Sequence, residues 1–455
     1  MSTALVAPAP PRVSGRLPYV GAGLAFLANP TEFLRRTRAR VGDSFLVEAF
    51  GFQLFFLFSP EGLRSLYQLP EKDASFTEAT RTLIGFKLPA ELLGGDMAMF
   101  HHLFGRDQLE SYRAQIQAAV EEELASLGDT GELEVFAHMK RLVHRVGFRC
   151  WAGREAASPT LLPRLVELFE KLDPEEAFVH PARIFVTLAT RKASERRALA
   201  QVREILTGIW RERERRGARE GDMLEALHEL YRELPEAQRL DHVARDVIIP
   251  QLVSQSNLYA AMSWTLVNLL LNPRWQTAVR EDRAAFETCA LESIRLAQRS
   301  LTLRKVMQPC RVSDGTTEYL LQPGVYVATL LSVGNQAFAG LDRFDPEHYE
   351  RGRPADRLGL PTRESVSTFG HGSHACPGRR FALAAIEIAI SAQLAGFELT
   401  PRFERAEPKS EQMGAVARAA EACPVVYRRR PPLPAGLRDS IPLLAAAAQR
   451  RKGTR

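Results

Sequence analysis

A mainly α fold, one large helical domain with a small β-rich subdomain, is what three observations on the sequence predict. Apolar residues recur at three- and four-residue spacing through most of the chain. A largely apolar stretch of roughly thirty residues near the middle reads as a helix crossing the whole domain. Aromatic-rich and alternating β-type runs are confined to two short regions, around residues 45–58 and 306–327. The 455 residues are 45% hydrophobic and 25% charged, ample for a large core, and no Ser/Gly-rich or repeated linker divides residues 30–425. The organisation read from this is a Pro-rich segment 1–30, one domain 31–430 and a basic tail 431–455.

The elements follow in order. Thr31–Val41 is a helix after Pro30, and Phe45–Phe50 with Gln53–Phe58 forms a hairpin about Gly51. Helical periodicity returns over Gln108–Leu127, Leu133–Phe148, Thr160–Leu172 and Ser194–Arg216, with the Arg/Glu run Arg211–Glu220 read as a solvated helix end. Asp241 is the expected N-cap of the long helix, which ends at Asn272 before Pro273 and is expected to kink at Pro250. Ala284–Ala297 is a further helix, Val306–Val327 holds short strands about a Pro323-Gly324 turn, and Arg380–Leu394 is a buried helix.

Composition excludes several classes of function. The net charge of +6 is carried by the end of the chain: Arg428–Arg455 holds eight basic residues against Asp439, which leaves the body near neutral and without the basic stripe that nucleic acid requires. Five scattered cysteines without a CxxC pair argue for a reducing compartment rather than a disulfide framework. The apolar run Leu17–Ala28 is short and broken by Pro18, Gly21 and Gly23, so neither a secretion signal nor a membrane span is expected. The protein reads as cytoplasmic or peripherally apposed to a membrane, and as a monomer.

The chemistry concentrates at residues 369–378, Phe-Gly-His-Gly-Ser-His-Ala-Cys-Pro-Gly, just before the helix that opens near Arg379. Backbone N–H groups at a helix start favour negative charge, so Cys376 stands where a thiolate ligand is stabilised. Gly372 and Gly378 permit a tight turn and the close approach of a flat partner, and Phe369 can pack beneath them. The plainer reading is a Cys-Pro-Gly turn with an inert thiol. A zinc site at His371, His374 and Cys376 lacks a fourth ligand with metal-like spacing.

Phe369-x-x-Gly372-x-x-x-Cys376-x-Gly378 resembles the haem-binding signature of the cytochrome P450 superfamily, and with it come that family's fold, haem b and O2. The resemblance makes Cys376 the axial thiolate of the haem iron. Glu292-Ser-Ile-Arg295 is similar to the family's ExxR helix, and Phe344-Asp-Pro346-Glu-His348 to the motif that completes it, with His348 where arginine is commoner. Glu292, Arg295 and His348 are therefore expected to form a structural lock. The same resemblance gives His374 and Arg304 to the haem propionates. It offers His101, His102 or Arg106 for a third contact, in a stretch (Gly94–Asp107) that is short for the family.

Within the long helix, Ser254-Gln255-Ser256-Asn257 interrupts apolar neighbours. Buried polar groups need local bonds, water or a ligand, although a cap on the Pro250 kink would also account for them. The family's acid–alcohol pair, which relays protons in oxygen activation, aligns with Ser256 and Asn257. Asparagine there is similar to steroid 7α- and 12α-hydroxylases and prostacyclin synthase. Pro11–Gly15, Leu17–Gly21, Gly42-Asp43, His374 and the Cys423–Arg430 end are similar to sterol 14α-demethylases. Leu258, Tyr259, Met262, Met307 and Met413 are the expected substrate contacts. The resemblance thus implies a monooxygenase on a lipophilic sterol, steroid or fatty-acid-like substrate. Its electrons come from a separate partner, a ferredoxin, flavodoxin or reductase, because the chain has no flavin or iron–sulfur motif of its own. The alternatives are a haem-thiolate isomerase or peroxygenase acting on a lipid peroxide, and a haem-binding protein without turnover.

Overall fold

Helix forms wherever apolar spacing follows a 3.6-residue period, and strand where it alternates. The computed structural model describes residues 8–15, 17–94, 103–172, 187, 189–350 and 352–431. Its longer helices are α1 (Gly23–Ala28), α2 (Pro30–Val41), α3 (Pro60–Gln68), α4 (Phe76–Gly85), α5 (Arg106–Ala125), α6 (Val135–Ala156), α7 (Leu162–Leu172), α8 (Ala193–Arg216), α9 (Met223–Leu230), α10 (Glu236–Leu271), α11 (Pro273–Glu281), α12 (Arg283–Ala297) and α13 (Arg379–Gly396). The strands are β1 (Arg12–Val13), β2 (Ser44–Ala49), β3 (Phe52–Leu57), β4 (Ala74–Ser75), β5 (Thr130–Glu134), β6 (Leu301–Val306), β7 (Cys310–Ser313), β8 (Glu318–Leu321), β9 (Tyr326–Leu330), β10 (Phe397–Pro401) and β11 (Pro424–Arg429). The mainly α prediction holds.

A six-stranded sheet runs β1-β2-β3-β9-β6-β4, and its hairpin is the one expected about Gly51. Ser44 pairs with Leu57 and Ala49 with Phe52, while Phe50 (φ 50°) and Gly51 (φ 79°) both take the left-handed conformation of a primed two-residue turn. Strand β6 is held between β9 and β4, which brings Arg304 opposite Val327 and Val306 opposite Ala74.

The main core lies among the helices, with α10 packed on α6, α12 and α13. Its 36 residues span ~54 Å at about 1.5 Å per residue, and Val243, Ile248, Leu252, Leu258, Leu266 and Leu269 are all buried.

Three expectations are corrected. The long helix begins at Glu236, not at Asp241, which lies inside it within reach of Arg203 (3.6 Å); the turn Glu-Ala-Gln-Arg-Leu is itself a good helix former. Pro250 lies inside α10, which continues past it to Leu271. Residues 130–134, read partly as helix, form a strand in the three-stranded sheet β10-β11-β5, where Leu133 pairs with Val425. The run Arg211–Glu220 is not all solvated, because Arg213 is 2% exposed and paired with Asp222 (2.7 Å) and Glu155 (2.8 Å). Gly153, at φ 78° in α6, makes room for that guanidinium: a Cβ there would stand 2.0 Å from Arg213 Nη2.

Candidate active site

The loop between Ser367 and α13 is shaped by its own backbone. Cys376 N donates to Phe369 O at 2.7 Å, closing a turn in which Gly370 (φ 76°) and Gly372 (φ 61°) are left-handed. Gly370 is a residue the sequence reading missed: a Cβ there would stand 2.8 Å from His374 O, whereas one on Gly372 meets nothing. Phe369 is half-buried against the main core, with the Arg379 guanidinium 5.9 Å from its ring centre. Cys376 is exposed although protein surrounds it on most sides. Burial pushes its thiol up, and the N–H groups of Gly378 and Arg379 pull it back in part. A metal cation is what would convert it to thiolate.

Glu292, Arg295 and His348 come together as expected. Arg295 Nε and Nη2 reach the two Glu292 carboxylate oxygens at 2.7 Å each, and neither side chain has any solvent exposure. Burial alone would raise the Glu292 carboxyl, but hydrogen bonds from Arg295 and His348 outweigh it and hold the group below the ordinary carboxylate range. His348 Nδ1 lies 3.0 Å from Glu292 Oε1, and Asp345 N donates to the same oxygen at 3.1 Å. The remaining Arg295 donors bond the carbonyls of Asn335 (2.5 Å), Leu341 (2.7 Å) and Arg343 (3.3 Å).

Asn335, which the sequence reading did not single out, carries this lock into the cysteine loop. Its Oδ1 accepts from Ser367 N at 2.8 Å, and its Nδ2 donates to Ser367 O (2.7 Å) and Arg295 O (3.2 Å). Gln298 Nε2 donates to Thr368 O, and Tyr349 OH pairs with Thr368 Oγ1. Two consecutive residues of the loop are thereby fixed to α12 and to the segment that carries His348.

Arg304 and His374 also meet, Nη2 to Nε2 at 3.1 Å. Arg304 is 2% exposed, and its other donors bond Ala74 O, Leu66 O, Tyr67 O and the carboxylate of Glu71 (3.3 Å). Glu71 was not anticipated. Burial works against its charge, yet Thr77 N, Ser75 Oγ and Phe76 N hold it and lower it to about 2. His101 and His102 fall outside the described residues, and Arg106 opens α5.

Mid-helix, α10 has an open face. Val253 is 50% exposed, and Ser254, Ser256 and Asn257 are half-buried beside it. Asn257 bonds backbone through both ends of its amide, Oδ1 to Val416 N (3.1 Å) and Nδ2 to Val253 O (3.2 Å). Leu258, Tyr259 and Met262 are buried in the helical core, Met413 packs with the sheet, and Met307 is 43% exposed just beyond β6. Leu258, Tyr259 and Met262 thus belong to one core cluster and Met413 borders another, and Met413 adjoins the segment bonded to Asn257.

Among the described residues no group of three or more His, Cys, Asp or Glu could hold a metal ion. His371 Nε2 lies 3.1 Å from Val366 O, and His374 is engaged with Arg304, so the zinc reading finds no support. The residues present do fit a haem. An accessible sulfur at a helix N-terminus could ligate its iron, a buried arginine and an imidazole two residues from that sulfur could hold its carboxylates, and the chain folds closely around glycines beside them.

Comparison with known proteins agrees. A family model described as Cytochrome P450 matches residues 100–422. The sterol 14-demethylase of Arabidopsis thaliana is 24% identical over 422 residues, 86% of each chain. The obtusifoliol 14-alpha demethylase of Triticum aestivum is 25% identical over 88% of this chain and 94% of its own. The 24-hydroxycholesterol 7-alpha-hydroxylase of Mus musculus is 22% identical over 92% and 93%. Since the family match takes in α10, the lock and the cysteine loop within most of the chain's length, this protein belongs to the cytochrome P450 family and is a monooxygenase that uses haem and O2.

Proposed function

We propose that the protein hydroxylates or oxidatively demethylates a sterol, steroid or fatty-acid-like lipid, with haem b ligated by Cys376 and electrons delivered by a separate protein. The observation that carries this reading is the Cys376 loop itself, an accessible thiol whose turn is bonded through Asn335 to the buried Glu292–Arg295 pair and through Thr368 to Tyr349 and Gln298. Haem, when bound, supplies the activation of O2 and the oxidising power. The chain's own residues would do the rest. Arg304 and His374 would hold the propionates, Phe369 would pack under the sulfur, and the Ser256 hydroxyl would hold water and pass protons at the open face of α10.

The substrate class is supported by the sterol-acting relatives and by the half-exposed Val253 on that face. A partner protein is supported by a groove of about 380 Å³ lined by Arg113, Arg283, Arg379, Arg380, Glu287 and Glu387, next to the cysteine loop. Acidic groups on a ferredoxin or flavodoxin would complement its arginines. Among the described residues no helix is long and apolar enough to cross a membrane.

The test is the reduced, carbon-monoxide-bound spectrum, followed by titration with obtusifoliol, 24-hydroxycholesterol and fatty acids. A band near 450 nm, lost in Cys376→Ala, and a ligand-induced spin shift are the expected results. Absence of the band in haem-loaded wild type refutes the ligand assignment. Turnover of a lipid hydroperoxide without reductant, and none with O2 and a reductase, would instead favour an isomerase or peroxygenase.

A further inference from the structure

We propose that Asn257 is a positioning residue: it holds the strap Gly414–Ala417 against α10 and so sets one wall of the substrate chamber, rather than handing on a proton. The word chamber rests on the monooxygenase reading above; the bond between Asn257 and the strap does not.

Both functional ends of the Asn257 amide are already committed to backbone. Its oxygen accepts the Val416 N–H at 3.1 Å and its nitrogen donates to Val253 O at 3.2 Å. Val416 is 3% exposed, so its N–H has little access to water and depends on that oxygen. Seven residues along the same face of the helix, Trp264 Nε1 donates to Ala417 O. Two side chains of α10 thus grip adjacent residues of one segment.

The other side of the strap is bonded to the end of α12. Ala417 N donates to Ala297 O, Arg299 N to Ala415 O, and Gly414 N to Arg299 O. Within the strap, Gly414 (φ 89°) and Ala415 (φ 59°) are left-handed, and a left-handed alanine persists only where its surroundings over-determine it. Met413 precedes the strap, and Val253, whose carbonyl receives the Asn257 amide, is the half-exposed residue of the open face. Asn257 therefore joins the two surfaces that face each other there.

An alcohol could not replace it. Ser263 and Thr265, further along α10, turn their hydroxyls back to the carbonyls of Tyr259 and Ala261 at 2.8 Å. A threonine at 257 would do the same to Val253 O and leave Val416 N without a partner. The amide, in turn, carries no readily lost proton.

The test is hydrogen exchange of peptides covering residues 412–418 in haem-loaded Asn257→Thr, Asn257→Ala and Asn257→Asp, each first shown to keep the wild-type carbon-monoxide spectrum. Exchange in the first two is expected to quicken at least tenfold, while Asn257→Asp, which retains an acceptor oxygen, stays within threefold of wild type. With whichever of obtusifoliol or 24-hydroxycholesterol shifts the wild-type spin state, Asn257→Thr is expected to weaken binding at least fivefold without changing product formed per electron consumed. Unchanged exchange in both Asn257→Thr and Asn257→Ala overturns the proposal, as does unchanged binding with a fall in product per electron. Loss of the 450 nm band in wild type would sink the ligand reading and leave the exchange result to judge the strap.

Discussion

Changing Arg295 to lysine keeps the charge of the lock and removes its fork. In the wild type the guanidinium makes five hydrogen bonds, two to Glu292 and one each to the carbonyls of Asn335, Leu341 and Arg343. An ammonium has three donors on one atom, so at least two of those acceptors lose their partner, in a place with no solvent exposure. Each orphaned buried group costs about 1–3 kcal/mol, and after partial relaxation the total is about 2–4 kcal/mol. Arg295→Ala, which leaves the Glu292 carboxylate buried without its counter-ion, is expected to cost about 3–5 kcal/mol or more. Against a usual stability of about 5–15 kcal/mol, the alanine variant would lose a large share of its margin. Urea denaturation followed by far-ultraviolet circular dichroism and by the Soret band gives the change, read from the midpoint where the slope is unaltered. A lysine variant within about 0.5 kcal/mol of wild type, the range of an ordinary surface change, would refute the lock as a structural device.

Two other perturbations follow from groups the site does not use for chemistry. Burial, with a smaller contribution from Lys140, lowers His144 to about 4, so the unfolded chain takes up its proton first as pH falls. The stability this histidine contributes is full above about 6.5 and is lost progressively toward 4, on the order of 3 kcal/mol, and His144→Gln should flatten the fall in urea midpoint between pH 6.5 and 5; an unchanged fall would refute it. Glu71 and a haem carboxylate would compete for the Arg304 Nη2 donors, so Glu71→Gln is expected to slow haem transfer to an apo-globin acceptor severalfold. Faster transfer would mean instead that Glu71 serves to order Arg304.

The sequence was most legible where function depends on short local spacing. The Cys376 loop and the Glu292–Arg295 helix carry their patterns within ten and four residues, and the structure brings the second together with His348 as read. Legibility failed where a partner lies far along the chain. Strand β5 is made by pairing with residues almost three hundred positions later, and Thr-Gly-Glu-Leu-Glu alternates too weakly to announce it. Arg213 sits in a charged run like any solvated helix end, and only Asp222 and Gly153 reveal that it is buried. Glu71, Asn335 and Gly370 belong to no pattern of their own. Each acts through a carbonyl, an N–H or a φ angle that sequence does not display. The position of Asn257 was visible, but not that its amide would be spent on Val416, 159 residues away.

The histidine at 348, where arginine is commoner in the family, follows from counting charge and lone pairs on Glu292. The carboxylate already accepts four bonds, from Arg295 Nη2, Asp345 N and His348 Nδ1 on Oε1 and from Arg295 Nε on Oε2. With Arg295 as counter-ion the pair is neutral, and a histidine can donate Nδ1–H without adding charge. An arginine at 348 would bring a second cation to a position 5% exposed, with no second carboxylate in the lock to balance it. Histidine to arginine is therefore expected to destabilise this chain by about 1–3 kcal/mol, although it restores the commoner residue, whereas His348→Gln, a neutral donor of similar reach, should stay within about 1 kcal/mol of wild type. The urea midpoint decides between them. An arginine variant as stable as wild type would mean that the lock tolerates a net positive charge, and that histidine stands there for some reason other than neutrality.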